Sequence, residues 1–323
     1  MNAVNASLAV TLITSAIMFG TPLLLAGLGE LLAERSGVLN LGVEGMMLAG
    51  AVTAFWAVQA MPGPAWLALI VAVLLAAAAG AAMALIHAFL SVTLRANQIV
   101  SGLALTIFAG AAGLSSYLGV VWGLAGKPAA HQMSNIDMGA LSDLPVVGPI
   151  LFHQDPMVYA SWVLVIAVAW YLYRTRPGLN LRSVGESPAA ADAMGIPVTG
   201  YRYAHTVVGG ALAGVGGSYF TLVLSNQWTD GLTAGAGWIA IALVIFAFWR
   251  PGYLLIGAYF FGLLSGLGFD LQARGVAWPS EFFSALPYVM TVIALVIMST
   301  GWARRQLGTP AALGTPYARE EGG

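Results

Sequence analysis

Stretches without a single Asp, Glu, Lys or Arg dominate this chain: 1–29, 45–94, 96–126, 156–173, 203–229, 231–249, 251–269 and 282–303. About 20 apolar residues carry a helix across a hydrocarbon core, so each window admits one crossing and the longest admits two. Lipid offers the backbone no hydrogen-bond partners, which leaves helices as the economical reading of such windows. The 12 basic and 13 acidic residues make up 8% of the 323, and 59% are hydrophobic, whereas soluble domains carry about 25% charge. The expected fold is therefore all-α, a polytopic membrane protein with roughly nine transmembrane helices.

The run QAMPGP at 59–64 divides the longest window, because two Pro and a Gly end one helix and open a turn. The expected spans are 8–32, 38–58, 65–90, 98–119, 156–173, 204–224, 234–249, 252–269 and 284–301. The first lacks the basic leader of a signal peptide and reads as a mature span. With nine spans, Arg35, Arg95, Arg174, Arg176, Arg182, Arg202, Arg250, Arg304, Arg305 and Arg319 fall on one face, and only Lys127 and Arg274 on the other. The bias of basic residues toward cytoplasmic loops then puts the N-terminus outside and the C-terminus in the cytoplasm.

A single transmembrane domain over 1–305 is expected to carry a cytoplasmic loop at 174–203 and an external loop at 120–155, the latter with a short re-entrant or surface helix that docks a partner. Residues 306–323, rich in Gly, Pro, Thr and Glu, read as a disordered cytoplasmic tail.

Other functions are disfavoured by what the chain contains. A net charge of −1 gives no basic footprint for nucleic acid. Cys is absent and the four His are scattered, so no metal centre or other cofactor is expected. There is no G-x-x-x-x-G-K-[ST] loop, so the chain is not its own ATP engine. H-E-x-x-H and G-x-S-x-G are also missing, which argues against an enzyme.

Within the 174–203 connection lies a complete short helix signal. Ser187 suits the N-cap, Pro188 the first helical position, and Ala189, Ala190, Ala191, Ala193 and Met194 the interior; Gly195 ends it and Pro197 bars continuation. Glu186 lies at the positive end of the helix dipole. So short a helix is marginal alone. It is held either against its own protein or in a partner's groove, where its small side chains permit a deep approach.

The stretches GELLAERSGVLNLGVEGMMLAG at 29–50, GESPAAADAMGI at 185–196 and GWIAIALVIFAFWRPG at 237–252 resemble the permease subunits of bacterial ATP-binding cassette importers for simple sugars, nucleosides and branched-chain amino acids. The likeness runs over roughly 20–300 and is greatest to the shorter permease of nucleoside or simple-sugar systems served by a basic-membrane-lipoprotein type binding protein. It implies a type II-like importer fold and a multi-pass protein of the bacterial inner or plasma membrane. The implied partners are a second related permease, cytoplasmic ATPase subunits and an extracytoplasmic substrate-binding lipoprotein. Carried over by the loop motif, Gly185, Glu186, Ser187, Pro188, Ala191, Asp192 and Gly195 are expected to couple to the ATPase.

Polar residues at membrane depth are the candidates for a substrate path. Glu44, between Gly42 and Gly45 and preceded by Asn40, is an expensive intramembrane carboxylate that reads either as a path or gating residue or as a brace for the fold. Asn97 and Gln98 open the fourth span, where they either meet a solute hydroxyl or cap the helix. Glu30 and Glu34 share a helix face and read as interfacial. The small residues Gly209, Gly210, Ala213, Gly214, Gly217 and Ser218 read as a packing face. Asn226, Gln227, Trp228, Asp230, Phe246, Phe248 and Trp249 are weaker candidates for ring contact, with the Trp residues serving as interfacial anchors. The alternative to an ABC permease is an ion-coupled secondary transporter that uses Glu44.

Overall fold

A computed structural model describes residues 8–110, 112–298 and 308–318. It contains α1 (Leu8–Arg35), α2 (Val43–Ala60), α3 (Ala65–Ala88), α4 (Gln98–Ala109), α5 (Leu114–Val121) and α6 (Pro156–Arg174), followed by α7 (Arg176–Glu186), α8 (Pro188–Ala193), α9 (Val198–Tyr219), α10 (Ala236–Phe246), α11 (Pro251–Gln272) and α12 (Ser280–Met298). Single π-helical turns extend α3 and α9. Among the described residues, eight segments are long and apolar enough to cross a membrane: α1, α2, α3, α4 with α5, α6, α9, α11 and α12. The protein is an all-α, multi-pass membrane protein.

The ninth expected span, 234–249, is corrected by the structure. Only Ala236–Phe246 is helical, about 16 Å at 1.5 Å per residue, or half a hydrocarbon core. The preceding GLTAGAG run turns instead of coiling, with Gly231 at φ +69° and Gly235 at φ +82°. The chain still travels from the end that holds Asn226 to the end that holds Arg250, half as turns and half as helix. Two boundaries also shift: α2 begins at Val43 rather than 38, and α9 begins at Val198 rather than 204.

Seven arginines of the expected cytoplasmic set, Arg35, Arg95, Arg174, Arg176, Arg182, Arg202 and Arg250, lie on helix ends, the short helix α7 and connections at one end of the bundle. Arg35 donates to the Trp249 carbonyl at 3.0 Å, which ties the ends of α1 and α10 together. At the opposite end Arg274 donates to Thr11 at 3.2 Å, and Gln59 donates to the carbonyl of Pro128 at 2.6 Å. Arg304, Arg305 and Arg319 lie outside the described residues.

The core forms where α9 packs between α1, α2 and α3. Its small-residue face meets backbone directly: a Cβ on Gly210 would press on the Gly80 carbonyl, and one on Gly217 would overlap the Met47 carbonyl. Without a strong hydrophobic drive between helices in lipid, close van der Waals packing of this kind holds the bundle. The Gly209–Ser218 stretch is thus a packing face, as its spacing suggests. At the end that holds Arg274, Asp155 caps α6 through Met157 N at 2.8 Å and Val158 N at 3.1 Å, and accepts from the Tyr219 hydroxyl at 2.7 Å. Burial pushes this carboxyl above its ordinary range, against hydrogen bonds that favour its charged form.

Beyond the end of α5 at Val121, the 120–155 connection contains no α-helix. A 3₁₀ turn at Gly139–Leu141 and a π turn at Gly148–Phe152 stand where a short helix was expected, and Ala129 N and Met133 N bond to the carbonyls of Asn226 and Leu222.

Gly217→Ala should lower stability by about 1–3 kcal/mol through overpacking, read as a lower thermal midpoint in detergent. Gly252→Ala, where a Cβ meets nothing within 4 Å, should leave the midpoint unchanged.

Candidate functional site

Three features at or near the membrane interior carry chemistry: an inward-folded loop between α1 and α2, a carboxylate at the start of α10, and an aromatic cavity beside it. A fourth, the α7–α8 connection, faces outward from the arginine-rich end.

Residues 36–42 leave the end of α1 and fold back into the bundle, and their backbone is paired almost group by group. Leu39 N donates to Gln98 Oε1 at 2.7 Å, while the Leu39 carbonyl meets His87 Nε2 at 3.1 Å. That places the His87 proton on Nε2 and leaves Nδ1 to accept from Ser101 at 3.0 Å. Asn40 N donates to Glu30 Oε1 at 3.1 Å, and Gly42 N to Asn40 Oδ1 at 3.0 Å. Thr106 donates to the Leu41 carbonyl at 2.8 Å. Non-helical backbone at membrane depth survives only when it is buried in protein and satisfied in this way.

Glu44, 7% exposed, sits in the first turn of α2 and caps α10 from across the bundle. Its Oε1 accepts from Thr233 Oγ1 at 2.5 Å and Gly235 N at 3.0 Å, and its Oε2 accepts from Gly237 N at 2.6 Å. A carboxylate here satisfies helix-terminal donors and meets the positive end of the α10 dipole. Asn97 caps α4 through Ile99 N at 3.0 Å and Val100 N at 3.1 Å. Asn40, Glu44, Asn97 and Gln98 are thus engaged with backbone, and the structure does not gather them around one cavity.

A cavity lies beside Glu44's partner Thr233. It encloses about 320 Å³ and is lined by Phe19, Phe220, Thr233, Ser265, Phe269 and Tyr288 among others. Phe19 and Phe269 stack with centroids 5.6 Å apart, and the Tyr288 hydroxyl donates to the Ala234 carbonyl. Its floor is the start of α10, and its walls include the end of α9 and the start of α12, so it occupies the half of the bundle away from the arginines. Sequence reasoning missed this site because its lining comes from five segments far apart in the sequence. Of the weaker ring-contact candidates, Trp228 is buried against Gly119, and Trp249 Nε1 donates to Glu34.

At the arginine-rich end, α8 has the expected caps. Ser187 Oγ accepts from Ala190 N at 3.4 Å, and Pro188 occupies the first turn. The helix closes with Ile196 N on the Ala191 carbonyl at 3.0 Å and Gly195 N on the Asp192 carbonyl at 2.9 Å, with Gly195 at φ +79°. This paired closure needs a left-handed residue, which glycine supplies without a Cβ penalty. Ala191 turns inward onto Val184 and Val198. Ala189, Ala190 and Ala193 point outward, and Met194 is 82% exposed.

Gly185 faces the other way, for a Cβ there would collide with the Arg35 carbonyl. The expected disordered tail is corrected over 308–318, which forms a strap across this end. Ala312 N donates to the Gly185 carbonyl at 2.9 Å, and Gly314 N to that of Gly37 at 3.2 Å. Arg202 Nη1 reaches the Thr315 carbonyl at 3.0 Å, and Tyr317 packs on the Val184–Ala191–Val198 cluster. The strap is held by backbone pairing and by alanines and an aromatic, which a composition rich in Gly and Pro conceals. Residues 306, 307 and 319–323 of the expected tail lie outside the described residues.

A profile of the family described as branched-chain amino acid transport system, permease component, matches residues 12–295. The chain belongs to this family of transport permeases. It is 39% identical to a putative glucose ABC transporter permease protein, TsgC13, of Haloferax volcanii, over 97% of this chain and 99% of that one. It is 34% identical to a guanosine ABC transporter permease protein, NupQ, of Bacillus subtilis, over 95% and 96%. A second Haloferax volcanii protein, the glucose ABC transporter permease protein TsgB13, is 30% identical over 92% of this chain and 78% of its own length. No solved structure matches the chain. The permease is accordingly a transport subunit, not an enzyme, and its family works with ATPase and substrate-binding partners. The ion-coupled alternative loses its support, since the relatives are ABC permeases and Glu44 is committed to α10.

Glu44→Gln should cost about 1–3 kcal/mol, because an amide N–H₂ would replace an acceptor opposite a backbone donor. The thermal midpoint of the purified permease should fall, and Thr233→Ala should produce a smaller fall. An unchanged midpoint in Glu44→Gln would contradict the capping role.

Proposed function

We propose that this permease is the shorter of two paired membrane subunits of an ATP-binding cassette importer that carries a nucleoside or a simple sugar. An extracytoplasmic binding lipoprotein delivers the solute and separate cytoplasmic ATPase subunits drive its passage. The observation that carries the reading is α8: a helix capped at both ends, anchored by Ala191, with Ala189, Ala190, Ala193 and Met194 turned outward. A two-turn helix too short to stand alone is held here as a rigid knob with a small-residue surface, which suits insertion into a groove on an ATPase.

Within the expected coupling set the roles divide. Glu186 and Asp192 lie at the rim of the knob, Ser187, Pro188 and Gly195 shape it, and Gly185 and Ala191 seat it on the end of α1 and the start of α9. The arginine-rich end is then cytoplasmic and the N-terminus external, following the positive-inside bias. Pairing with a longer permease is supported by the two distinct permeases of Haloferax volcanii, both named for glucose. The 320 Å³ cavity has the size of a small-molecule pocket. Its aromatic faces suit a nucleobase or a pyranose, and its Thr and Ser hydroxyls suit a ribose or sugar hydroxyl. The path would pass this cavity, whose α10 floor Glu44 holds, while Asn40 and Gln98 brace the 36–42 loop and Asn97 caps α4.

Because the chain contains no Cys, Met194→Cys introduces a single thiol. In the assembled transporter it should cross-link to an ATPase subunit, and Arg274→Cys should not. Ala190→Arg should lower ATP-driven uptake about tenfold or more by burying an unpaired charge in the docked groove, with the permease still folded. Normal uptake by Ala190→Arg would remove α8 from the coupling role.

A further inference from the structure

At the arginine-rich end, the side of the bundle between α6 and α11 opens into a groove of about 580 Å³ lined by Ala169, Tyr173, Arg250, Pro251, Tyr253 and Ile256. Deeper in the bundle the two helices meet where Trp162 Nε1 donates to the Tyr259 hydroxyl. From Arg250 to Tyr259 is nine residues, ~14 Å of helix, close to the ~15 Å of a single leaflet's hydrocarbon. The flanking side chains are apolar and outward: Ile166 and Trp170 on α6, Ile256 and Phe260 on α11.

The mouth of the groove is cationic. Arg250 lies over the Tyr253 ring at 5.7 Å and Arg182 over the Tyr173 ring at 5.6 Å. Arg35 stands near enough to feel both arginines, with Glu186 as the opposing carboxylate. Glu186 Oε2 is itself shared with Ala311 N at 3.4 Å. Among the described residues no carboxylate pairs with Arg182 or Arg250, and the Nε atoms of Arg35 and Arg182 are buried without a partner. The first turn of α11 also opens here without a side-chain cap, and a Cβ on Gly252 would meet only empty space. The uncapped first turn of α11, Arg250 and, over the lining ring of Tyr173, Arg182 stand at the mouth of an apolar slot.

We propose that this groove binds an anionic phospholipid of the same leaflet. Its phosphodiester sits between Arg250, Arg182 and the first turn of α11, and one acyl chain lies along Ala169 and Ile256. The chemistry is complementary at both ends: helix N-termini and arginines hold phosphate, basic pockets between transmembrane helices at the cytoplasmic side suit anionic headgroups, and a leaflet-deep apolar slot suits an acyl chain. The lipid would brace α11 against α6 beside the α7–α8 knob.

The test is native mass spectrometry of the assembled transporter after exchange from nanodiscs of phosphatidylglycerol and phosphatidylcholine. Retention of one phosphatidylglycerol per copy of this chain is expected, with no retained phosphatidylcholine. Arg182→Ala with Arg250→Ala should weaken retention about thirtyfold, from two surface arginines. Ala169→Trp should expel the lipid by filling the slot while leaving every cation in place. Retention unchanged in both variants would overturn the proposal. So would displacement by soluble glycerophosphate, which would mark a free-anion site, or loss of the ATPase subunits with lipid retained, which would assign the cluster to a protein partner.

Discussion

Backbone that leaves the helix inside a membrane bundle must find every hydrogen-bond partner within the protein, and this permease meets that requirement at two places that its other parts serve. The 36–42 loop takes partners from α1, α3 and α4 through Glu30, His87, Gln98 and Thr106. The turn before α10 takes its partner from α2 through Glu44. Remove these side chains and two stretches of irregular chain face an apolar interior with unpaired N–H groups. The half-length α10, the cavity above it and the junction of α1 with α10 all depend on that pairing.

The rigid counterpart is α9, whose glycine face brings three other helices to backbone contact. Close packing on one side and paired irregular backbone on the other divide the molecule into a fixed core and a segment, 225–249, that is half turn and half helix. The cavity at the boundary has one wall that cannot move without displacing glycine contacts and another, the turn before α10, pinned by hydrogen bonds to Glu44. At the arginine-rich end the strap of 308–318 links Gly37, Gly185, α8 and α9. The α8 knob is thereby joined to the end of α1, and through Trp249 and Glu34 to the end of α10. A continuous chain of contacts runs from the outward-facing knob to the floor of the cavity.

Much of this was legible in the sequence because it is local. The charge-free windows locate eight of nine crossings, and Ser187, Pro188 and Gly195 fix α8 to the residue because capping chemistry acts over three or four positions. The 10-to-2 split of basic residues anticipates which connections share an end. Glu44 was recognisable as costly, but its partner lies 189 residues away at Thr233, and no periodicity links the two. The shortness of α10 hides behind an apolar composition that suits a full span, since hydropathy counts side chains and not the left-handed glycines that stop a helix. The strap was misread for the converse reason: its Gly and Pro content resembles a disordered tail, while its order comes from backbone bonds to distant carbonyls. Asn97 and Gln98 were chosen for polarity, and the structure spends both on backbone.

We infer that this permease moves solute only as a passive path driven through α8 by a separate ATPase. The direct measurement is uptake of labelled guanosine and labelled glucose into proteoliposomes that hold the permease pair, with and without the ATPase subunits, under ATP and under an imposed pH gradient. Accumulation of one of the two solutes is expected only when ATPase subunits and ATP are both present, and none under the gradient alone. Gradient-driven accumulation by the permease chains without the ATPase would contradict it.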